Sequence, residues 1–182
     1  MRIISGIHKG RKFTPPSDIP ARPTTDFAKE ALFNILQNHL DFSKVKFLDL
    51  FAGTGSLDYE LYSRGCRKMV MVDLSPISLK FIQKMAQELG MEQYCRIIKA
   101  DVFQYLRAER ETYNLIFAGP PYKLENIDEI PEVIFERKIL SDDGLLIMET
   151  SPRHRYEDHP HLVDHRNYGQ THFWFFQSQP IS

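Results

Sequence analysis

Three carboxylates and two glycines carry the chemistry most readily read from this chain. In the run Leu48-Asp49-Leu50-Phe51-Ala52-Gly53-Thr54-Gly55-Ser56 an apolar strand gives way to a glycine turn and then to a helix start. Glycines at 53 and 55 let the backbone turn sharply and approach a ligand. A dinucleotide fingerprint would place a third glycine at 58, where Asp58 stands, and Asp49 at the strand end would repel a pyrophosphate. Carboxylates in this position suit a cationic ligand, one with an ammonium and a sulfonium. Asp73 comes 18 residues after Gly55, at the end of a second strand, a spacing at which an acid accepts both hydroxyls of a ribose. Asp101, just past a third strand, is placed to meet an adenine amino group. Each acid alone reads equally well as a turn or helix-cap residue. Three of them at the carboxyl ends of consecutive parallel strands mark the edge where open α/β sheets bind ligands.

Positioning these groups requires a sheet, and the hydrophobic pattern provides one. Apolar, β-rich runs at 45–50, 68–72, 96–99, 114–118 and 145–149 predict five strands, with helix-length segments between them. The clearest helix spans 76–89: Ile77, Phe81, Ile82, Met85 and Leu89 recur at helical spacing, Ser75 is the N-cap, Pro76 suits the first turn and Gly90 follows the end. Such alternation implies a parallel sheet with helices on both faces. Beyond 149, runs at 161–168 and 171–178 flank Gly169-Gln170 and predict an antiparallel hairpin at the end of the sheet. The aromatic run Phe173, Trp174, Phe175 and Phe176 reads as sheet core facing helices on either side. Upstream lie a short β-like pair at 2–5 and 11–14, a Pro-rich link at 15–23, and a helix over 26–38. Its apolar face is read as Phe27, Ala31, Leu32, Ile35 and Leu36.

With 182 residues, one domain spanning 1–182 around one core is expected. The 42% hydrophobic and 26% charged content, with a net charge of −1, excludes disordered, collagen-like and coiled-coil classes. No uncharged apolar run approaches the roughly 20 residues of a membrane helix, and no apolar signal core precedes Lys9 and Arg11. A cytoplasmic protein with no membrane contact is expected. Cys66 and Cys95 form no CxxC pair and read as small buried hydrophobes. His154, His159, His161 and His165 follow no zinc spacing, so no metal is expected. Residues 1–22 carry Arg2, Lys9, Arg11, Lys12 and Arg22 against Asp18 alone, a local charge of +4 suited to clamping phosphates. The segment Arg153-His154-Arg155-Tyr156 adds a weaker signal, because Glu157, Asp158 and Asp164 offset its cations.

Further runs carry a family likeness: Met1-Arg2-Ile3-Ile4-Ser5-Gly6 with Gly10-Arg11, and Arg22-Pro23-Thr24-Thr25-Asp26 with Glu30 and Leu32-Phe33-Asn34. Together with the glycine motif they make the chain resemble class I S-adenosylmethionine-dependent methyltransferases, and within them the RsmD family of ribosomal RNA guanine-N2 methyltransferases. The likeness covers nearly the whole chain, and Arg-Pro-Thr-Thr-Asp is its specific part. It implies an α/β, Rossmann-like fold: a mostly parallel seven-stranded sheet with helices on both faces, a C-terminal antiparallel hairpin and a small N-terminal extension (residues 1–25) that contacts RNA. It also implies S-adenosyl-L-methionine as cofactor, and small-subunit (16S) ribosomal RNA or the assembling subunit as partner of a monomeric enzyme. By the same resemblance Asp49, Phe51, Gly53 and Gly55 line the methionine end, Asp73 the ribose, Asp101 with Val102 the adenine, and Thr25 and Asn34 the neighbouring wall.

After the fourth predicted strand, Phe117-Ala118-Gly119-Pro120-Pro121-Tyr122 is similar to the Asp-Pro-Pro-Tyr/Phe turn of amino-group methyltransferases, with Gly119 where the acid belongs. In the family picture the side chain at 119 and the Pro120 carbonyl accept the hydrogens of the target amine. Pro120 and Pro121 hold the turn rigid, and Tyr122 stacks on a flipped base. Gly119 leaves backbone carbonyls only, and losing one preorganised polar partner typically costs about a hundred- to a thousandfold in rate. The chain is then slow, inactive or compensated from elsewhere. Rival readings are a catalytically impaired RNA-binding or ribosome-assembly protein, or an enzyme for another amino substrate such as DNA adenine. An NAD-dependent oxidoreductase is disfavoured by the absent third glycine.

Overall fold

A computed structural model describes residues 1–179. Seven strands, β1 (Lys46–Asp49), β2 (Lys68–Asp73), β3 (Cys95–Lys99), β4 (Tyr113–Ala118), β5 (Leu140–Thr150), β6 (Leu162–Tyr168) and β7 (Thr171–Gln177), form one sheet in the order β3-β2-β1-β4-β5-β7-β6. The first five run parallel; β7 pairs antiparallel with β5, and β6 antiparallel with β7. Five helices pack around it: α1 (Asp26–Leu36), α2 (Ser56–Ser63), α3 (Pro76–Leu89), α4 (Val102–Ala108) and α5 (Glu129–Glu136). This is the class I methyltransferase architecture. Strand order reverses between β1 and β4, and a crevice opens outside the carboxyl ends at such a reversal.

Successive strand residues face opposite sides, and the core divides accordingly. Phe47, Met69, Met71, Leu115, Phe117 and Ile147 pack with α1, α2 and α3. Leu48, Val70, Val72, Ile116, Leu146 and Met148 pack with α4 and α5. The aromatic run splits the same way: Phe173 and Phe175 join the first layer, Trp174 and Phe176 the second, and all four are buried. The Trp174 indole N–H donates to Thr150 Oγ1 at 3.0 Å, which ties β7 to the end of β5.

Helix α3 occupies the predicted span, with the Ser75 hydroxyl accepting from Ser78 N at 3.3 Å and Gly90 closing the end. Its buried stripe is Ser78, Leu79, Phe81, Ile82, Met85, Ala86 and Leu89, so Ile77 lies one position round and is exposed. The same rotation moves Phe27 off the α1 core face, which is Ala28, Lys29, Leu32, Phe33 and Leu36. Phe27 is 71% exposed and rests edge-on against Tyr168 of β6. Strand β5 begins five residues earlier than predicted: Leu140 pairs with Tyr113, and a register shift before the Leu115–Leu145 pair leaves the polar 141–144 segment as a bulge within the strand. Cys66 is buried, but Cys95 at the start of edge strand β3 is only half-buried, and both are free thiols.

The expected strand pair at 2–5 and 11–14 reduces to one bridge, Arg2 with Lys12. Around it Ile3 N donates to Arg11 O at 2.9 Å, Gly10 N to Ile3 O at 2.8 Å and Phe13 N to Met1 O at 3.1 Å, and the pairing goes no further because Ile4 N and Ser5 N donate to the Glu60 carboxylate of α2 at 2.8 and 3.0 Å. Lys29 donates to Arg2 O at 2.7 Å and to Ser56 Oγ at 3.1 Å, and its Nζ lies 3.8 Å from Glu60 Oε2. Arg64 Nε donates to Glu60 Oε1 at 2.9 Å. A buried ionic knot thus clamps the N-terminal segment onto α1 and α2.

Candidate active site

A cavity of about 730 Å³ opens at the carboxyl ends of β1 to β5. Asp73, Leu74, Asp101, Val102 and Phe103 form one side; Gly119 to Leu124 and Glu149 form the other. Residues 20–22 of the Pro-rich link cross its mouth. A smaller inner chamber, about 40 Å³, shares Phe51, Gly119 and Glu149 with it and adds Asp49, Gly53 and Thr54.

The glycine turn is built by its contacts. Gly55 has φ +77°, and a Cβ there would meet Tyr59 Oη at 2.4 Å and Cζ at 2.5 Å. Left-handed backbone and close packing both require glycine at this position. Gly53 N donates to Asp73 Oδ2 at 2.8 Å, and Ser75 N to Asp73 Oδ1 at 2.8 Å. Asp73 therefore fastens the turn after β1 to the start of α3 and lines the cavity with its remaining lone pairs. Asp101 does double duty of the same kind: it caps α4 by accepting from Gln104 N at 3.1 Å and lines the pocket.

Asp49 is buried and accepts from Phe51 N at 3.2 Å. Loss of water pushes its carboxyl up to about 7, and the nearby Asp73 adds to the rise. Burial, with Asp49 beside it, pushes the Asp58 carboxyl well above the ordinary carboxylate range. Glu149, second from the end of β5, is likewise pushed up to about 7 by burial, partly offset by Thr24 and Arg22. Thr24 Oγ1 donates to Glu149 Oε2 at 2.6 Å. The Arg22 guanidinium sits 4.8 Å from the centre of the Tyr122 ring.

Of the residues read from sequence, Asp49, Phe51 and Gly53 line the inner chamber, and Asp73, Asp101, Val102 and the 119–122 turn line the outer cavity. Three of the cofactor residues do not line either: Gly55, whose place is taken in the lining by Gly53, Thr54 and Ser56, and two residues of the expected neighbouring wall. Thr25 spends its hydroxyl capping α1, accepting from Ala28 N at 3.2 Å, and Asn34 lies exposed on α1, outside the lining of both spaces. The threonine that enters is the preceding one, Thr24. Among the five basic residues at the start, Arg22 alone lines the pocket. Arg2 is 3.9 Å from Asp26. Arg11 pairs with Glu88 at 3.3 Å near the far end of α3, about 20 Å along the helix from Ser75 at the pocket. Sequence reading missed Glu149 and Thr24, although Glu149 follows the same pattern of a strand-ending acid as Asp49 and Asp73.

No group of three or more His, Cys, Asp or Glu side chains is placed to hold a metal ion among the described residues. No helix among them is long and apolar enough to cross a membrane.

Residues 1–177 match the family model described as conserved hypothetical protein 95. The chain belongs to that family. YlbH of Bacillus subtilis, named as a candidate rRNA methyltransferase, is 34% identical over 152 residues, covering 82% of each chain. Ribosomal RNA small subunit methyltransferase D of Escherichia coli is 28% identical over 151 residues, 82% of this chain and 74% of that one. The solved structure of Escherichia coli yhhF, described as a candidate methyltransferase, superposes with a TM-score of 0.84 at 25% identity, covering 98% of this chain and 99% of the other. The family's relatives thus carry names of ribosomal RNA methyltransferases on a fold that this chain shares over nearly its full length.

Proposed function

We propose that this chain transfers the methyl group of S-adenosylmethionine to the exocyclic N2 of a guanine in small-subunit ribosomal RNA. The observation that carries the reading is a cavity lined by Asp73, Asp101 and the Gly119-Pro120-Pro121-Tyr122 turn, with Asp49 in the smaller chamber that shares Phe51, Gly119 and Glu149 with it, each group at the carboxyl end of a different strand. The names of the relatives support ribosomal RNA of the small subunit as the substrate class.

The residues fit the cofactor. Asp49, buried beside the inner chamber with its carboxyl raised by lost hydration, would be stabilised as the carboxylate by an ammonium there. Asp73 offers acceptor lone pairs for ribose hydroxyls, and Leu74, Val102 and Phe103 give apolar walls for an adenine beside Asp101. When bound, S-adenosylmethionine supplies an electrophilic methyl carbon: the amine lone pair forms the N–C bond, and the S–C bond breaks with its electron pair left on sulfur.

The chain's own part is to orient and to accept hydrogen bonds. A guanine N2 lone pair is delocalised into the ring, so acceptors on its hydrogens favour the pyramidal geometry that attacks. The Pro120 carbonyl is one such acceptor, and the two prolines restrict the turn that presents it. Tyr122, 37% exposed at the mouth, offers a face for a flipped base, with Arg22 on the ring adding positive charge for the phosphates.

The test is methyl transfer from labelled S-adenosylmethionine to 16S ribosomal RNA and to partly assembled small subunits from cells lacking this protein. Nucleoside analysis is expected to find label in N2-methylguanosine. Label in methyladenosine would move the target to another base. An unlabelled substrate despite intact cofactor binding would favour the RNA-binding or assembly role.

A further inference from the structure

Residue 119 is the one place where this chain departs from the Asp-Pro-Pro-Tyr/Phe turn, and the fold brings another carboxylate to that spot. Strands β4 and β5 are parallel, with Ala118 beside Met148; one step further along the register puts Gly119 beside Glu149. A Cβ built on Gly119 lies 3.7 Å from Glu149 Oε2. An aspartate at 119 would carry its own oxygens two bonds beyond that Cβ, into the volume that Glu149 already fills. Both residues line the inner chamber and the outer cavity.

Gly119 is not required by backbone conformation, since its φ lies outside the left-handed region. Its missing side chain leaves room: the Cβ would also press on Phe117 Cε1 at 3.0 Å, a core ring of the first layer. Glu149 is meanwhile held in place, with Thr24 donating to one oxygen at 2.6 Å and the rest of its lone pairs left to the cavity. The Arg-Pro-Thr segment of the link therefore acts on the carboxylate from above, through Thr24 and the charge of Arg22.

We infer that Glu149 supplies the side-chain acceptor that residue 119 lacks, taking a hydrogen of the target amine opposite the Pro120 carbonyl. This rests on the methyl-transfer reading and assigns a further catalytic residue to it. As the N–C bond forms, the amine proton held by Glu149 passes to its carboxylate and then to water; the methyl group's former bonding pair stays on sulfur. Only the ionised carboxyl can take up that proton. Its neighbours are Thr24 and Arg22 from the link, Asp49 at the end of β1, and Tyr122 from the turn after β4. With Glu149 raised to about 7 in the free protein, kcat/KM is expected to rise through neutral pH and then level.

The test uses Glu149→Ala, Glu149→Gln, Gly119→Asp and the double variant Glu149→Ala/Gly119→Asp in the RNA assay. Titration of S-adenosylmethionine and thermal unfolding are measured on each. Glu149→Ala is expected to lower kcat about a hundredfold or more, with cofactor Kd changed only a few-fold. Adding Gly119→Asp to that variant restores at least tenfold. Gly119→Asp alone brings no gain, because two carboxylates then compete for one volume. Glu149→Gln, which keeps the shape, loses both rate and the pH limb near 7. Glu149 variants within threefold of wild-type kcat overturn the inference, as does Gly119→Asp accelerating the wild type as strongly as it rescues Glu149→Ala. A wild type that labels no RNA overturns the methyl-transfer reading and this inference with it; a labelling wild type with indifferent Glu149 variants overturns this inference alone.

Discussion

Glu60→Ala is expected to lose about 3–5 kcal/mol of unfolding free energy, the cost of breaking a buried ion pair from one side. The Glu60 and Lys29 side chains have no exposed area, and Arg64 is nearly enclosed. Removing the carboxylate strands the Lys29 ammonium, the Arg64 guanidinium and the amide hydrogens of Ile4 and Ser5 together. Burial already pulls the Lys29 amine below its ordinary value, and Glu60 is the largest influence opposing that pull. Lys29→Met with Glu60→Gln should cost less than Glu60→Ala, since it removes the fully buried ammonium, leaves Arg64 as the one cation without its carboxylate and keeps one carbonyl acceptor. Urea unfolding of the three proteins checks this. Equal losses, or a Glu60→Ala midpoint unchanged from wild type, would show that the N-terminal segment is held some other way.

The second large effect is on pH dependence. Asp49 and Glu149 are both raised to about 7, from ordinary values of 3.8 and 4.5, so the folded chain binds protons that the unfolded chain has released. The stability they contribute is full below pH 4 and is lost as pH rises through about 7. Between pH 5.5 and 8.5 each group should cost the free protein about 2 kcal/mol, on the order of 4 kcal/mol together. The comparison is urea unfolding at the two pH values for the wild type and for Asp49→Asn/Glu149→Gln. The wild type is expected to be the more pH-sensitive by that amount. Parallel behaviour of the two proteins would mean that these carboxyls are ionised and solvated in the folded state.

Much of the scaffold was legible because burial on both faces writes itself as continuous apolar strands, and because α3 carries its own start signals in Ser75 and Pro76 and its stop signal in Gly90. Asp49, Asp73 and Asp101 were legible for a related reason: strand-ending acids sit next to patterns that mark where strands end. Long-range pairing was not. The Glu149 to Gly119 proximity arises from the register of β4 against β5, and nothing local in Glu149-Thr150-Ser151 distinguishes it from a solvated strand end. Lys29 is outside the apolar face read for the helix over 26–38, yet occupies the core stripe because Glu60 on α2 meets it there. The N-terminal strand pair is cut short for the mirror-image reason: the amide donors of Ile4 and Ser5 found a carboxylate in place of a neighbouring strand. Thr25 and Thr24 are adjacent and alike in type, and only the start of α1 decides which one caps the helix and which one reaches the pocket.

The most direct test of the central claim is a mass-spectrometric map of methylated nucleosides in small-subunit ribosomal RNA from the source cell, with and without the gene for this chain. Loss of one N2-methylguanosine, restored by the wild-type gene and not by one encoding Glu149→Ala, is the result expected. An unchanged methylation map in the deleted strain would contradict it.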